Sequence, residues 1–390
     1  MNINQIQAAL RRLKVDGWLL CDFRNRDYLA YRVLGLNFEK MSSRRWYYYI
    51  PARGTPKKVV SAVELHRLDE LPGTTHVYLS WKELHAALRS VLGSGKRIAM
   101  QYSAMNNVPY VSVVDAGTIE LVRKLGKTVV SSADLVQMFV AVLDGRGYAL
   151  HREAGAAMDR IMQEAFAEIG RALKTGATEY DVQQFIMKRF AEENLTTYDP
   201  PMVGTNEHPA DPHFDLTREL ARPFRQGDTV LIDMWAKKNV QGGIYYDITW
   251  VGYVGDAPPA KYQKIFSVVR DARDAAVDFV TTRFAKGKPC YGWEVDDACR
   301  AVVERAGFGK HFLHRTGHSI GEETHGNGVN IDNLETKDER LLLPGCLFSI
   351  EPGIYLKGSM AVRTEINMFI GLDGVPEVTG AVQRDLVLIS

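Results

Sequence analysis

Four carboxylates occur in a repeated arrangement: Asp233 in GDTVLIDMW, Asp247 in YYDITWVGYVG, Glu351 in GCLFSIEPG and Glu365 in VRTEINMFIG. Each pair is separated by 14 positions, and the second pair follows the first at an offset of 118 (351 − 233 and 365 − 247). Gly227 and Gly345 each precede the leading acid by six positions. Agreement in register over so many features marks an internal duplication built around the acids. Each acid lies in a short apolar run rich in branched residues, which reads as a β-strand. Alternation then places Thr229, Leu231 and Asp233 on one strand face, with Tyr245, Asp247 and Thr249 sharing another and Arg363, Glu365 and Asn367 a third. Carboxylates pointing into protein from apolar strands cost on the order of several kcal/mol each unless paired. Two divalent cations balance four such charges, so the pattern predicts a metal site.

Between the two pairs, HRTGHSIGEETH brings His314, His318 and His325, three of the ten histidines, into twelve residues. That clustering in a Gly-rich stretch supplies an imidazole ligand. His213 follows Pro212 upstream of the first pair.

These motifs resemble those of the pita-bread metallopeptidases, a group that includes Xaa-Pro dipeptidase (prolidase), aminopeptidase P, methionine aminopeptidase and the metal-free relative creatinase. Asp233 falls in the strand motif of the first aspartate, Asp247 in D-I-T, His318 in G-H-x-I-G, Glu351 in E-P-G and Glu365 in R-x-E. The resemblance implies that Asp233, Asp247, His318, Glu351 and Glu365 hold two divalent ions, Mn or Co with Zn not excluded. Asp247 and Glu365 would bridge them. Glu351 would also carry a proton from the attacking water to the leaving amine, and His213 and His325 would donate hydrogen bonds to the carbonyl oxygen. His314, Arg363 and Trp250 are the expected substrate-side residues, Arg363 also orienting ligands. The implied activity is removal of the N-terminal residue from a short peptide with proline second, by a homodimer. Two alternatives stay open: a creatinase-like or other non-peptide hydrolase or lyase, and a non-catalytic binding module. Retention of all five ligands argues against both creatinase chemistry and a dead module.

Some residues depart from the family pattern. AKKNVQGGI lengthens the connection between the aspartates, Trp235 stands where small residues are common, and Trp250 replaces the Arg of D-I-T-R-T. Each tryptophan reads either as core packing or as a pocket wall. A dipeptidase needs a cation for its substrate's free carboxylate; Arg340, or an N-terminal residue of a partner chain, is the candidate.

The elements that must position these groups fall into two domains, within the two or three that the length suggests. An N-terminal α/β creatinase-like domain is expected over 1–145 and a duplicated pita-bread catalytic domain over 146–390, an α+β chain overall. WLLCD, WYYYI, KVVSAV, HVYLS and RIAMQY read as strands, and WKELHAALRSVL and AGTIELVRKL as helices. LDGRGYA (143–149) reads as the linker because its glycines interrupt two helical patterns. Beyond it each half runs helix, helix, strand pair. In RRWYYY (44–49) two arginines precede an aromatic strand, which either caps a partner's pocket or packs in its own domain. With a net charge of +1 and 24% charged residues, nothing points to nucleic acid. No stretch is apolar enough to span a membrane. The N-terminus reads as an amphipathic helix and not a leader. Cys21, Cys290, Cys299 and Cys346 show no paired spacing, so reduced thiols and a cytoplasmic location are expected.

Overall fold

Asn2 caps the first helix with its side chain, and Ile6, Ala9 and Leu10 form that helix's buried stripe. The computed structural model describes residues 2–212 and 214–390. The chain divides into two units, Met1–Val140 and Ala141–Ser390.

The first unit contains α1 (Ile3–Arg12), β1 (Gly17–Asp22), α2 (Tyr28–Leu34), β2 (Trp46–Pro51), β3 (Lys57–Ser61), β4 (Thr74–Tyr78), α3 (Trp81–Leu92), β5 (Arg97–Met100), α4 (Ala116–Lys124), β6 (Thr128–Ser131) and α5 (Ala133–Val136). Its six strands lie in the order β4-β3-β2-β1-β5-β6, with β1, β5 and β6 mutually parallel and β2 antiparallel to both its neighbours. Every residue of β1 is buried, as befits a strand covered on both faces. Of RRWYYY, Trp46 and Tyr48 pack into the cluster shared with α1 and α2, while Tyr47 and Tyr49 pack against the α3 side. The aromatic strand is therefore core of its own unit, and only Arg44 and Arg45 remain exposed.

The second unit contains α6 (Gly145–Thr175), α7 (Glu179–Glu192), β7 (Leu195–Thr196), β8 (Met202–Thr205), β9 (Thr229–Lys238), β10 (Tyr246–Val254), α8 (Ala260–Ala285), α9 (Gly292–Arg305), β11 (Leu347–Ile350), β12 (Gly353–Leu356), β13 (Met360–Arg363), β14 (Ile366–Ile370), β15 (Pro376–Val378) and β16 (Val387–Ile389). The segment expected to be a linker is instead the start of α6. Asp144 accepts a hydrogen bond from the Gly147 N–H at 2.8 Å, and such an N-cap stabilises a first turn that two glycines would otherwise weaken.

The duplication is visible as α6, α7, β9 and β10 followed by α8, α9 and β11 to β14. Gly227 and Gly345 both adopt the left-handed conformation, φ +95° and +90°, in turns that each lead into a strand two residues later. In the first half Ile232, Met234, Ile248 and Trp250 pack in the core cluster with α6 and α7. In the second, Phe348, Ile350, Ile366 and Met368 pack with α8 and α9. These are all even-numbered positions, so alternation turns the odd-numbered side chains of each half away from that half's own helices. On that side the halves meet: the Glu365 N–H donates to the Thr249 carbonyl at 3.0 Å, and Asn367 pairs its amide with the backbone N–H and carbonyl of Asp247.

Candidate metal centre

Asp233 and Thr249 are directly opposed on the antiparallel pair β9 and β10, and the Thr249 hydroxyl lies 2.8 Å from Asp233 Oδ1. It lies equally close, 2.8 Å, to Glu365 Oε2. Glu365 stands between β13 and β14, and Glu351 just past the end of β11, where Pro352 ends the strand.

His318 is carried on an irregular segment that runs alongside β11. The Ser349 N–H donates to the His318 carbonyl at 2.9 Å, and the Glu351 N–H to the Thr316 carbonyl at 2.8 Å. Only glycine at 317 permits this approach, because an added Cβ would lie 2.0 Å from the Ser349 carbonyl oxygen.

The geometry fixes the state of the imidazole. His318 Nδ1 lies 3.1 Å from the Ser319 carbonyl, which can only accept, so Nδ1 carries the proton and Nε2 a lone pair. That lone pair points at Glu351 Oε1, 3.3 Å away, and Asp247 Oδ2, 3.5 Å away. Burial lowers the basicity of His318, so it is acceptor facing acceptor. Asp247, His318 and Glu365 each offer an atom within 4.8 Å of the others. Among the described residues, Glu365 Oε1 is buried with no hydrogen-bond partner, and the Asp247 carboxylate meets the His318 lone pair instead of a donor. A cation among these atoms removes all three conflicts at once, and carboxylate with imidazole is a hard, borderline donor set suited to Mn, Co or Zn. The residues present therefore fit divalent metal.

Electrostatics tell the same story. Burial, then the charges of Glu351 for Asp247 and of Asp247 and Glu351 for Glu365, pushes both carboxyls well above their ordinary range. Burial raises Asp233 to about 6 against the opposing pull of Arg363. Glu351 is the exception: burial opposes its ionisation, but the charge that His318 and His314 carry when protonated, together with Arg363 and Arg315, holds its carboxyl below the usual range. Asp233 and Glu351 are also the more open side chains, 14% and 13% exposed, against 6% and 4% for Asp247 and His318. The mouth of the site is thus on the Asp233 and Glu351 side.

Arg363 faces this cluster from the end of β13. Its guanidinium bonds Asp233 Oδ2, the Thr249 hydroxyl at 3.0 Å and the Tyr355 hydroxyl at 3.1 Å. Tyr355, whose phenol is pushed up to about 12 by burial, keeps its proton and donates to His314 Nε2 at 2.7 Å. His314 Nδ1 in turn donates to the Arg315 carbonyl at 2.7 Å. Both ring nitrogens of His314 are engaged within the protein, which leaves none for a substrate; its place is to orient Tyr355 and, through it, Arg363.

His325 lies exposed at the rim with its ring edge-on to His318, centroids 4.4 Å apart. The neighbouring His318, with partial desolvation, holds it down to about 3, so it is a neutral imidazole with an N–H to give. His213 lies outside the described residues. Trp250 is not a pocket wall: it points to the even-numbered side of β10 and packs in the core with α6 and α7. Trp235 lies on the odd-numbered side, opposite Asp247 in the ladder, with Tyr198 at 6.1 Å and Tyr245 beyond it. Arg340 is 3% exposed and fully engaged by Asp338 and the Asn327 carbonyl, so it cannot read a substrate carboxylate.

Thr249, Ser349, Asn367 and Tyr355 are supporting residues that the sequence reading did not assign. Two of them carried a signal, since Thr249 and Asn367 are themselves 118 positions apart. Ser349 donates to Glu351 Oε1 at 3.0 Å and accepts from the His318 N–H at 2.9 Å, tying two candidate ligands of the second half together.

Buried carboxylates converging with one neutral imidazole define a metal-dependent enzyme site on a mixed α/β fold. The signature of metallopeptidase family M24 matches residues 149–371, more than half of the chain, and the chain belongs to that family. It is 27% identical over 345 residues to a probable dipeptidase, PepE, of Mycobacterium tuberculosis, covering 87% of this chain and 84% of the relative. With the Xaa-Pro dipeptidase of Lactobacillus helveticus it shares 30% identity over 233 residues, 56% of this chain and 55% of that one. Among solved structures, the dipeptidase PepE of Mycobacterium ulcerans superposes with a TM-score of 0.70 at 24% identity, over 99% of this chain and 96% of that one. The prolidase of Thermococcus sibiricus gives 0.65 at 21% identity, over 99% and 98%. Among the described residues no helix is long and apolar enough to cross a membrane.

Proposed function

We propose that this metallopeptidase releases the N-terminal residue from short peptides or dipeptides with proline in the second position. The observation that carries the reading is the convergence of Asp247, His318 and Glu365 around an orphaned carboxylate oxygen, in a chain whose relatives include Xaa-Pro dipeptidases.

In this reading Asp233, Asp247, His318, Glu351 and Glu365 would hold two divalent ions, Mn, Co or Zn. When bound, such ions supply Lewis acidity and lower the pKa of water. Glu351 stays ionised near neutral pH and stands at the open side of the cluster, so it takes the proton of the attacking water and returns it to the leaving amine. His325, neutral and at the rim, donates to the carbonyl oxygen as charge builds there, and His213 is its proposed companion. Arg363 fixes Asp233 and is itself fixed by Tyr355 and His314. The domain assignment, a creatinase-like unit followed by a pita-bread unit, and a cytoplasmic homodimer belong to the same proposal.

The test is turnover of matched peptides by the Mn-, Co- and Zn-loaded protein: Xaa-Pro dipeptides, Xaa-Pro tripeptides and the same peptides with alanine for proline. The reading expects kcat/KM to favour proline by at least about tenfold. Equal turnover of alanine and proline peptides would leave a metallopeptidase of the dipeptidase kind and remove the Xaa-Pro assignment.

A further inference from the structure

Asp233 and Glu351 hold equivalent places in the two halves and are the two carboxylates at the mouth, but the halves differ two residues further on. The 118-position offset pairs Trp235 with Gly353. At the Glu351 end the glycine leaves room for Tyr355, whose ring an added Cβ at 353 would meet at 2.7 Å. At the Asp233 end stands an indole. Successive residues on one face of a strand lie about 7 Å apart. Trp235 is therefore the next side chain after Asp233 on the face that carries the metal centre, and it is directly opposed to Asp247 across the ladder.

The indole packs against the cluster that contains Tyr245, Ile320 and Leu347, yet it is only half-buried. Tyr198 approaches it, with ring centroids 6.1 Å apart and planes tilted by 39°. Aromatic rings attract at this distance, but core packing does not account for the pair, because Tyr198 is 59% exposed. Burial raises the Tyr198 phenol, and the charges of Asp247 and Asp233 add to this, so the exposed ring lies within reach of the metal centre. The other groups facing the cluster, Arg363, Tyr355 and His314, are polar and bonded to one another. Aromatic surface at the mouth is thus a property of the Asp233 end alone.

We propose that Trp235 and Tyr198 form the wall against which the side chain of the substrate's N-terminal residue packs, and that they select large apolar and aromatic side chains over glycine. This assignment rests on the peptidase reading above. There Glu351 returns a proton to the leaving amine, which belongs to the second residue of the substrate. The second residue then lies at the Glu351 end and the first at the Asp233 end, beside the two rings. A benzyl or isobutyl group gains apolar contact there that glycine cannot make.

The test is calorimetric titration of the Mn-loaded full-length protein with reduced-amide analogues of Phe-Pro, Leu-Pro and Gly-Pro, in which a methylene replaces the scissile carbonyl and nothing can be cleaved. The Phe and Leu analogues should each bind at least about tenfold tighter than the Gly analogue. Trp235→Ala and Tyr198→Ala should each cut that ratio to about threefold or less, whereas Trp235→Phe should keep most of it. Metal content should stay at the wild-type level in Tyr198→Ala, whose ring is exposed. Equal binding of all three analogues, tighter binding of the Gly analogue, an undiminished ratio in both alanine variants, or metal lost together with the ratio in Tyr198→Ala would each overturn the proposal. Turnover of matched Xaa-Pro and Xaa-Ala peptides separates it from the reading on which it rests. The same first-residue preference in both series supports the wall even where proline selectivity fails, and proline selectivity without any first-residue preference overturns the wall alone.

Discussion

Arg363 is the buried cation on which the metal-free site depends, and replacing it by methionine gives a prediction with a pH signature. The guanidinium is 7% exposed and bonds Asp233, Thr249 and Tyr355. Removing one partner of a buried ion pair costs about 3–5 kcal/mol when the other stays charged. For a unit of this size each kcal/mol is worth about 2–4 °C, so the metal-free variant should melt roughly 6–20 °C below wild type at pH 7.5. The sign of the pH effect follows from Asp233, whose folded pKa of about 6 stands above its ordinary value of 3.8. A raised carboxyl is protonated in the fold at low pH, and its ionisation weakens the fold as pH rises through about 6. At pH 5 Asp233 is mostly neutral, and what remains to be lost is the hydrogen bonds to Thr249 and Tyr355, about 1–2 kcal/mol, with the attraction to Glu351. Thermal melts of wild type and Arg363→Met in chelator at the two pH values decide it. An equal loss at both, or no loss at pH 7.5, would refute the argument that Arg363 acts by compensating buried negative charge.

The same electrostatics predict that metal-free wild type loses stability between pH 5 and 7.5, because Asp233, Asp247 and Glu365 all have raised carboxyls; saturating metal should flatten that slope, as paired melts would show. His325→Ala should lower kcat by about 10²–10³ with metal content unchanged, and loss of metal would make His325 a ligand. Trp250→Ala should cost about 3–5 kcal/mol of stability while leaving KM within about twofold, since its ring packs with α6 and α7; a larger KM change would put Trp250 back in the pocket.

Much of the site was legible because the duplication is written twice. The 118-residue offset identifies Asp233, Asp247, Glu351 and Glu365, and by the same offset it relates Thr249 to Asn367. Strand alternation carries the packing of Trp250 as well: it lies one position from Thr249 and so belongs on the opposite face. Other features depend on tertiary contact. The second hairpin pairs Ser349 with Asn367, whereas repeating the first would place residue 351 there. That two-residue slip preserves the faces and has no signature in composition. Glu351 and Glu365 fall outside regular strands because the chain must leave the ladder to bring both halves together. The glycines at 145 and 147 read as a linker because glycine weakens a helix, a cost that the Asp144 cap offsets in the fold. Arg340 looked available only because its pairing with Asp338 depends on how the loop between α9 and β11 folds.

Asp233, Asp247, His318, Glu351 and Glu365 are proposed to hold the catalytic metal together. The most direct measurement is elemental analysis after equilibration with Mn or Co, on wild type beside Asp247→Ala and Glu365→Ala, with circular dichroism confirming that each variant is folded. Wild type should retain close to two ions per chain, and both variants should lose metal and peptidase activity together. Stoichiometric metal with normal turnover in folded Asp247→Ala and Glu365→Ala proteins would contradict that assignment.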